Sequence, residues 1–250
     1  MKSMLFKSTI AAAMAMISTH SFAAYVAITN SGSPVLKECQ GVQEPSPDPT
    51  PPAAGTCQVT ALPGTGYTQI RNANGNITAA GTVVGTYNDR VWQQNGTNNY
   101  VFGIRLSMNT TTYTPPAGCA DRTPTYFEIN DILRSGFGSY SNLTVAYKQP
   151  GSAEEGLWLA GRTAQGVNEY AASPYGLDPT RNNDWVDFRT DVNANDPDGT
   201  SKAASAWLLV TATVPGGVSA SQVANAIRLW QGGEEGQCKF SVYLPGFKPN

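Results

Sequence analysis

The segment Asp191-Val192-Asn193-Ala194-Asn195-Asp196-Pro197-Asp198-Gly199 carries oxygen-bearing side chains at alternate positions. In an extended or looping backbone, Asp191, Asn193 and Asn195 would point to one side, with Asp196 and Asp198 close behind. That is the arrangement a hard cation such as calcium requires, and a calcium held there would be structural. The run resembles the acidic loops of EF-hands but departs from them in two ways. Position six is Asp196 where a glycine belongs, and position twelve is Lys202 where a bidentate glutamate belongs. The competing reading is a solvated turn on Pro197-Asp198-Gly199, its Asp and Asn side chains bonding their own backbone.

Aromatic side chains are the second source of chemistry. Trp92, Trp158, Trp185, Trp207 and Trp230 accompany 11 tyrosines, and rings lying flat on a sheet stack on sugar faces while nearby amides bond hydroxyls. Trp92 precedes the polar run Gln93-Gln94-Asn95-Gly96-Thr97-Asn98-Asn99-Tyr100. It is therefore the ring expected to be exposed, with Trp92, Asn95 and Tyr100 as candidate ligand contacts. The other tryptophans fall in strand-like or helical runs that suit core packing.

Proton-transfer chemistry is poorly supplied. The one histidine, His20, lies in an N-terminal segment that reads as a signal peptide. A Ser-His-Asp or Cys-His hydrolase, a HEXXH metalloprotease and a His-ligated haem or copper site would each lose a required part on its removal. SxxK, GxSxG, GxxxxGK[ST] and GxGxxG patterns do not occur. Carboxylates remain: Glu128 and Asp131, Glu154 and Glu155, Asp184 and Asp187, Glu234 and Glu235 are sequence neighbours. A glycosidase needs two such groups roughly 5 to 9.5 Å apart, and no pair here singles itself out.

The elements that would position these residues follow from segment by segment reading. Lys2 and Lys7, an apolar stretch from Ile10 to Ile17, and Ser21-Phe22-Ala23 form a basic region, a short apolar core and a small-x-small cleavage site. Residues 1–23 are thus expected to direct export, 24–56 to hold a first strand and a Pro-rich loop, and 57–250 to form one domain. Four cysteines in an exported chain imply two disulfides. Cys39 and Cys57 flank the Pro-rich run of residues 44–52, which would wander unless its ends were tied. Of the three possible pairings, Cys39 with Cys57 and Cys119 with Cys238 is therefore preferred.

Alternating segments suggest strands at 25–29, 58–62, 82–87, 90–93, 100–108, 143–148, 157–162, 185–190, 207–214 and 239–244. Asn74-Gly75 and Asn95-Gly96 read as hairpin turns. Two stretches read as helical: 128–134 with Gly136 as its stop, and one from Ser219 that ends before Gly232 and Gly233, where Ser219 and Gln222 form a capping box ahead of Val223, Ile227 and Trp230. The class is mainly β, a two-sheet antiparallel sandwich of jelly-roll or Ig-like type with one or two short helices.

A formal net charge of −2 with only 14% charged residues gives no electrostatic grip on nucleic acid, and no window is apolar enough for membrane insertion. The expectation is a secreted recognition or adhesion module, working without catalysis on a glycan or surface polymer. The first alternative is a subunit that assembles with copies of itself into a surface layer, matrix or filament, using residues 25–29 for strand addition. The second alternative is a His-free carboxylate glycosidase.

Overall fold

The computed structural model describes residues 25–39, 57–166, 179–195, 201–232 and 236–250. The signal segment, the Pro-rich run, Asp196, Asp198, Glu234 and Glu235 lie outside the described residues. The strands are β1 (Val26–Ile28), β2 (Leu36–Glu38), β3 (Tyr67–Ala79), β4 (Thr82–Gln94), β5 (Asn99–Met108), β6 (Ile129–Ser135), β7 (Leu143–Lys148), β8 (Glu154–Glu155), β9 (Leu159–Gly161), β10 (Trp185–Val192), β11 (Ala204–Ser205), β12 (Trp207–Thr213), β13 (Val223–Gln231) and β14 (Phe240–Gly246). Among the described residues there is no α-helix.

The first sheet runs β3-β4-β5-β12-β7-β1, with β11 and β8 continuing beside the far end of β5. The second runs β14-β13-β6-β10-β9-β2. Among the named strands pairing is antiparallel except between β11 and β8. The sheets pack face to face: Phe102, Ile104, Leu106, Leu208 and Val210 meet Ile132, Val186, Phe188, Ile227 and Leu229 in one core. The chain is a two-sheet β-sandwich, as its strand pattern implies.

One ion pair crosses this core. The Arg134 guanidinium on β6 binds the Asp89 carboxylate on β4 and donates to the Phe247 carbonyl (3.0 Å), while the Phe247 N–H donates to Asp89 (2.8 Å). Both side chains are fully buried. A buried, hydrogen-bonded pair costs far less than either charge alone, even with Arg134 Nε left without a partner, so it favours one register of the sheets on each other.

Both expected helices are strands. Residues 129–135 form β6, whose seven residues are all buried because β13 and β10 flank it and both faces are covered. A strand buried on both faces lacks clean alternation. Its Ile129, Ile132 and Leu133 therefore imitate helical spacing. Residues 223–231 form β13, where a register shift between Val223 and Ile227, with Asn225 at φ 56°, breaks the period of two. The supposed capping residues bond across strands instead. Ser219 Oγ accepts from the Lys248 N–H (3.1 Å), and the Gln222 amide donates to the Pro245 carbonyl (3.1 Å).

Asn74-Gly75 is no turn either. It sits mid-strand in β3, Asn74 opposite Asn88 and Gly75 opposite Tyr87, and the hairpin turn falls at Ala80 and Gly81, both at positive φ. Gly75 is needed there for space: a Cβ would stand 2.4 Å from the Tyr87 ring, the close approach that interior strand glycines often mark. The expected strands 82–87 and 90–93 are one continuous strand, and 58–62 contributes only a bridge from Gln58 to Tyr147.

Cys39 pairs with Cys57 and Cys119 with Cys238. Two disulfides suit an extracellular or otherwise oxidising environment. Among the described residues no helix is long and apolar enough to cross a membrane.

Candidate functional site

The β4–β5 hairpin turns at Asn95-Gly96, with Gly96 at φ 73°. Asn95 is exposed and accepts a hydrogen bond from the Thr68 hydroxyl (2.8 Å). Trp92, expected at the surface, is only 5% exposed. It packs edge-on to Trp207 at 5.9 Å, in a small cluster on the outer face of the first sheet roofed by Tyr25, Val59, Leu62 and Tyr67. Arg90 covers Trp207 from the side, 4.7 Å from the ring centroid. Tyr100 belongs to the central core. Trp92 pairs with Val101 and Gln93 with Tyr100, so the period of two sends Trp92 and Tyr100 to opposite faces. One ligand cannot touch both, and of the three expected contacts only Asn95 is open to solvent.

The same end of the outer face does hold a cleft. It measures about 300 Å³ and is lined by Tyr25, Tyr67, Gln94, Asn99, Thr144 and Thr211 among others, with no ionisable acid or base beyond the two phenols. Its polar groups are held in a chain of bonds. The Asn99 amide donates to Gln94 Oε1 (3.0 Å), the Thr213 hydroxyl donates to Asn99 Oδ1 (2.7 Å), and the Thr144 and Thr211 hydroxyls share a bond of 2.6 Å. Burial, reinforced by the neighbouring Tyr67, pushes the Tyr25 hydroxyl above the ordinary tyrosine range. It stays protonated at neutral pH, able to donate. Four strands supply this lining: β3, β4, β5 and β12 each end here with an outward-facing residue, and β7 adds Thr144. Glutamine and asparagine near the hairpin were legible in the sequence. Tyr67, Thr144 and Thr211 were not, because only strand pairing brings them together.

The acidic run is partly described. Asp191 is the penultimate residue of β10, and Asn193 Nδ2 donates to Asp191 Oδ1 (3.0 Å), while Asn193 Oδ1 is buried without a donor. Asn195 is exposed. Among the described residues no three His, Cys, Asp or Glu side chains are grouped to hold a metal.

Neighbouring carboxylates are tied up separately. Glu128 accepts from Asn130 (2.7 Å) and Gln237 (2.9 Å), Glu154 pairs with Arg105 (3.0 Å), Glu155 with Lys202 (2.9 Å), and Asp184 accepts from the Gly138 N–H (3.3 Å). Asp131 and Asp187, distant in sequence, come together on adjacent strands of the second sheet's outer face. Burial first, and the Asp131 charge second, hold the Asp187 carboxyl well above the usual carboxylate range, with Arg189 and Arg228 opposing. Both acids are at most 1% exposed. Two carboxyls this close and this buried leave no room for a sugar and water between them, so they lack the geometry of glycoside hydrolysis.

Compared with protein-family models, curated protein sequences and solved structures, the chain matches none.

Proposed function

We propose that the protein is an exported, non-catalytic recognition module that holds a neutral, hydroxyl-rich polymer, a glycan or surface polysaccharide, in the cleft at the hairpin end of its first sheet. One observation carries the reading: the cleft combines two phenol rings with pre-bonded amides and hydroxyls and carries no ionised group. Sugars are recognised by that pairing of ring faces with paired donors and acceptors, whereas an anionic or cationic ligand would demand a countercharge. Export rests on the N-terminal segment, and the disulfides agree with it.

Depletion assays against cellulose, xylan, β-1,3-glucan and chitin test this. At least one is expected to retain the mature chain, and Tyr67→Ala to weaken that retention about tenfold, the worth of roughly 1.4 kcal/mol. Passage through all four with no retention would refute the proposal. A structural calcium beside Asp191 and Asn193 belongs to the same reading, supported by the orphaned Asn193 oxygen. Added calcium is then expected to raise the Tm, and Asp191→Asn to remove the rise.

A further inference from the structure

The outer face of the first sheet carries a second polar cleft, about 480 Å³, lined by Asn74, Asn76, Thr86, Asn88, Arg105 and Ser107 among others. Its one cation is already neutralised, since Arg105 pairs with Glu154 at 3.0 Å. The two clefts lie on the same strands. Asn88 and Gln94 on β4, and Arg105 and Asn99 on β5, are each six residues apart, an even separation that keeps them on one face and sets them about 20 Å apart.

A row of exposed amides on the edge strand β3 links the clefts: Gln69 and Asn72 lie between them, and Asn74 and Asn76 line the second. Their opposite numbers are Trp92, Arg90, Asn88 and Thr86, all on the outer face. Gln69 and Asn72 are an odd number of residues apart and would point to opposite faces of a regular strand. The register shift between Gln69 and Arg71 inserts one residue, a β-bulge that brings Gln69 back into line. The row is braced from β4, where Asn88 Nδ2 donates to Asn72 Oδ1 (3.1 Å) and also to Asn74 Oδ1.

We infer that these parts form one extended site, in which a linear neutral polysaccharide lies along β3 and β4, one end in each cleft, with the amide row bonding its hydroxyls. The inference rests on the recognition reading above and adds to it the shape of the ligand: an unbranched chain spanning about 20 Å. A short sugar fills one cleft only.

Calorimetric titration with matched pairs tests it: cellobiose with cellohexaose, xylobiose with xylohexaose, laminaribiose with laminarihexaose. For at least one pair the six-unit chain is expected to bind ten times more tightly or better. Asn74→Ala/Asn76→Ala, which alters exposed side chains that line the second cleft, should bring the affinity for the six-unit chain down to that of the two-unit sugar. Gln69→Ala should reduce it in the same direction. Equal affinity for both lengths would overturn the extended site while leaving the first cleft intact. Absence of binding by every sugar would overturn both. Should the double variant change self-association of the protein and leave sugar affinity untouched, the amide row is a contact between copies and the inference falls.

Discussion

Trp92 and Tyr67 show how differently two rings on one sheet face act. Trp92 packs against Trp207 beneath Gly103, whose missing Cβ would lie 2.8 Å from the indole. Trp92→Ala is therefore expected to cost about 3–5 kcal/mol of stability through the cavity it leaves, measured as a shift of the urea midpoint. Tyr67→Ala opens a partly exposed site and should shift that midpoint far less while weakening polysaccharide retention. Equal loss of stability from both would contradict the assignment of Tyr67 to the cleft. Gly75→Ala tests the mid-strand glycine: with the Tyr87 ring 2.4 Å from the added carbon, about 1–3 kcal/mol should be lost. A solvent-facing turn glycine would show no such clash.

At the scale of the element, the central strands of the second sheet carry charge where apolar residues are usual. Asp187 on β10 has its folded-state pKa raised by burial and by Asp131, above an unfolded value of about 3.9. The folded chain thus holds the proton more tightly. Its stabilising effect is complete below that unfolded value and is lost as pH rises towards the folded one, at up to about 1.4 kcal/mol per pH unit. Asp89 and Glu155, also raised chiefly by burial, act with the same sign. Asp187→Asn keeps the shape without the titration, and its urea midpoint should change less between pH 4.5 and 7 than that of the unaltered protein. A variant as pH-sensitive as the parent would count against the buried pair.

These same strands explain what could be read from sequence. β7, with Thr144 and Lys148 partly exposed, keeps enough alternation to be legible, whereas β12 is legible as a short buried apolar run from Trp207 to Val210. β6 is buried on both faces, so Ile129-Asn130-Asp131-Ile132 loses the period of two and imitates helix, while in β13 the register shift between Val223 and Ile227 breaks that period. β3 was hidden for another reason: Asn72-Ala73-Asn74-Gly75-Asn76 has the composition of a turn, and only pairing with β4 makes it strand. The cleft was half legible. Gln94 and Asn99 are close in sequence, whereas Thr144, Thr211 and Tyr67 arrive through long-range pairing.

For the whole molecule, the disulfides differ in what they hold. Cys119–Cys238 spans 119 residues and Cys39–Cys57 only 18, so in the chain-entropy model they contribute about 4.7 and 3 kcal/mol. Replacing Cys119 and Cys238 by Ser should lower the Tm more than replacing Cys39 and Cys57, as read by calorimetry; the reverse order would show that native contacts near β2 outweigh loop entropy. The segment expected to pair with a neighbouring copy, residues 25–29, is already used at home: Val26, Ala27 and Ile28 pair with β7 of their own chain. Under the proposed function, the outer face of the first sheet is the surface that holds the ligand. Backbone amide NMR shifts of the mature protein, recorded on titration with the six-unit neutral sugars, test this most directly. Saturable shifts should centre on Tyr67, Gln94, Asn99, Thr144 and Thr211, and perturbations around Trp185 and Trp230 on the second sheet, or none anywhere, would contradict it.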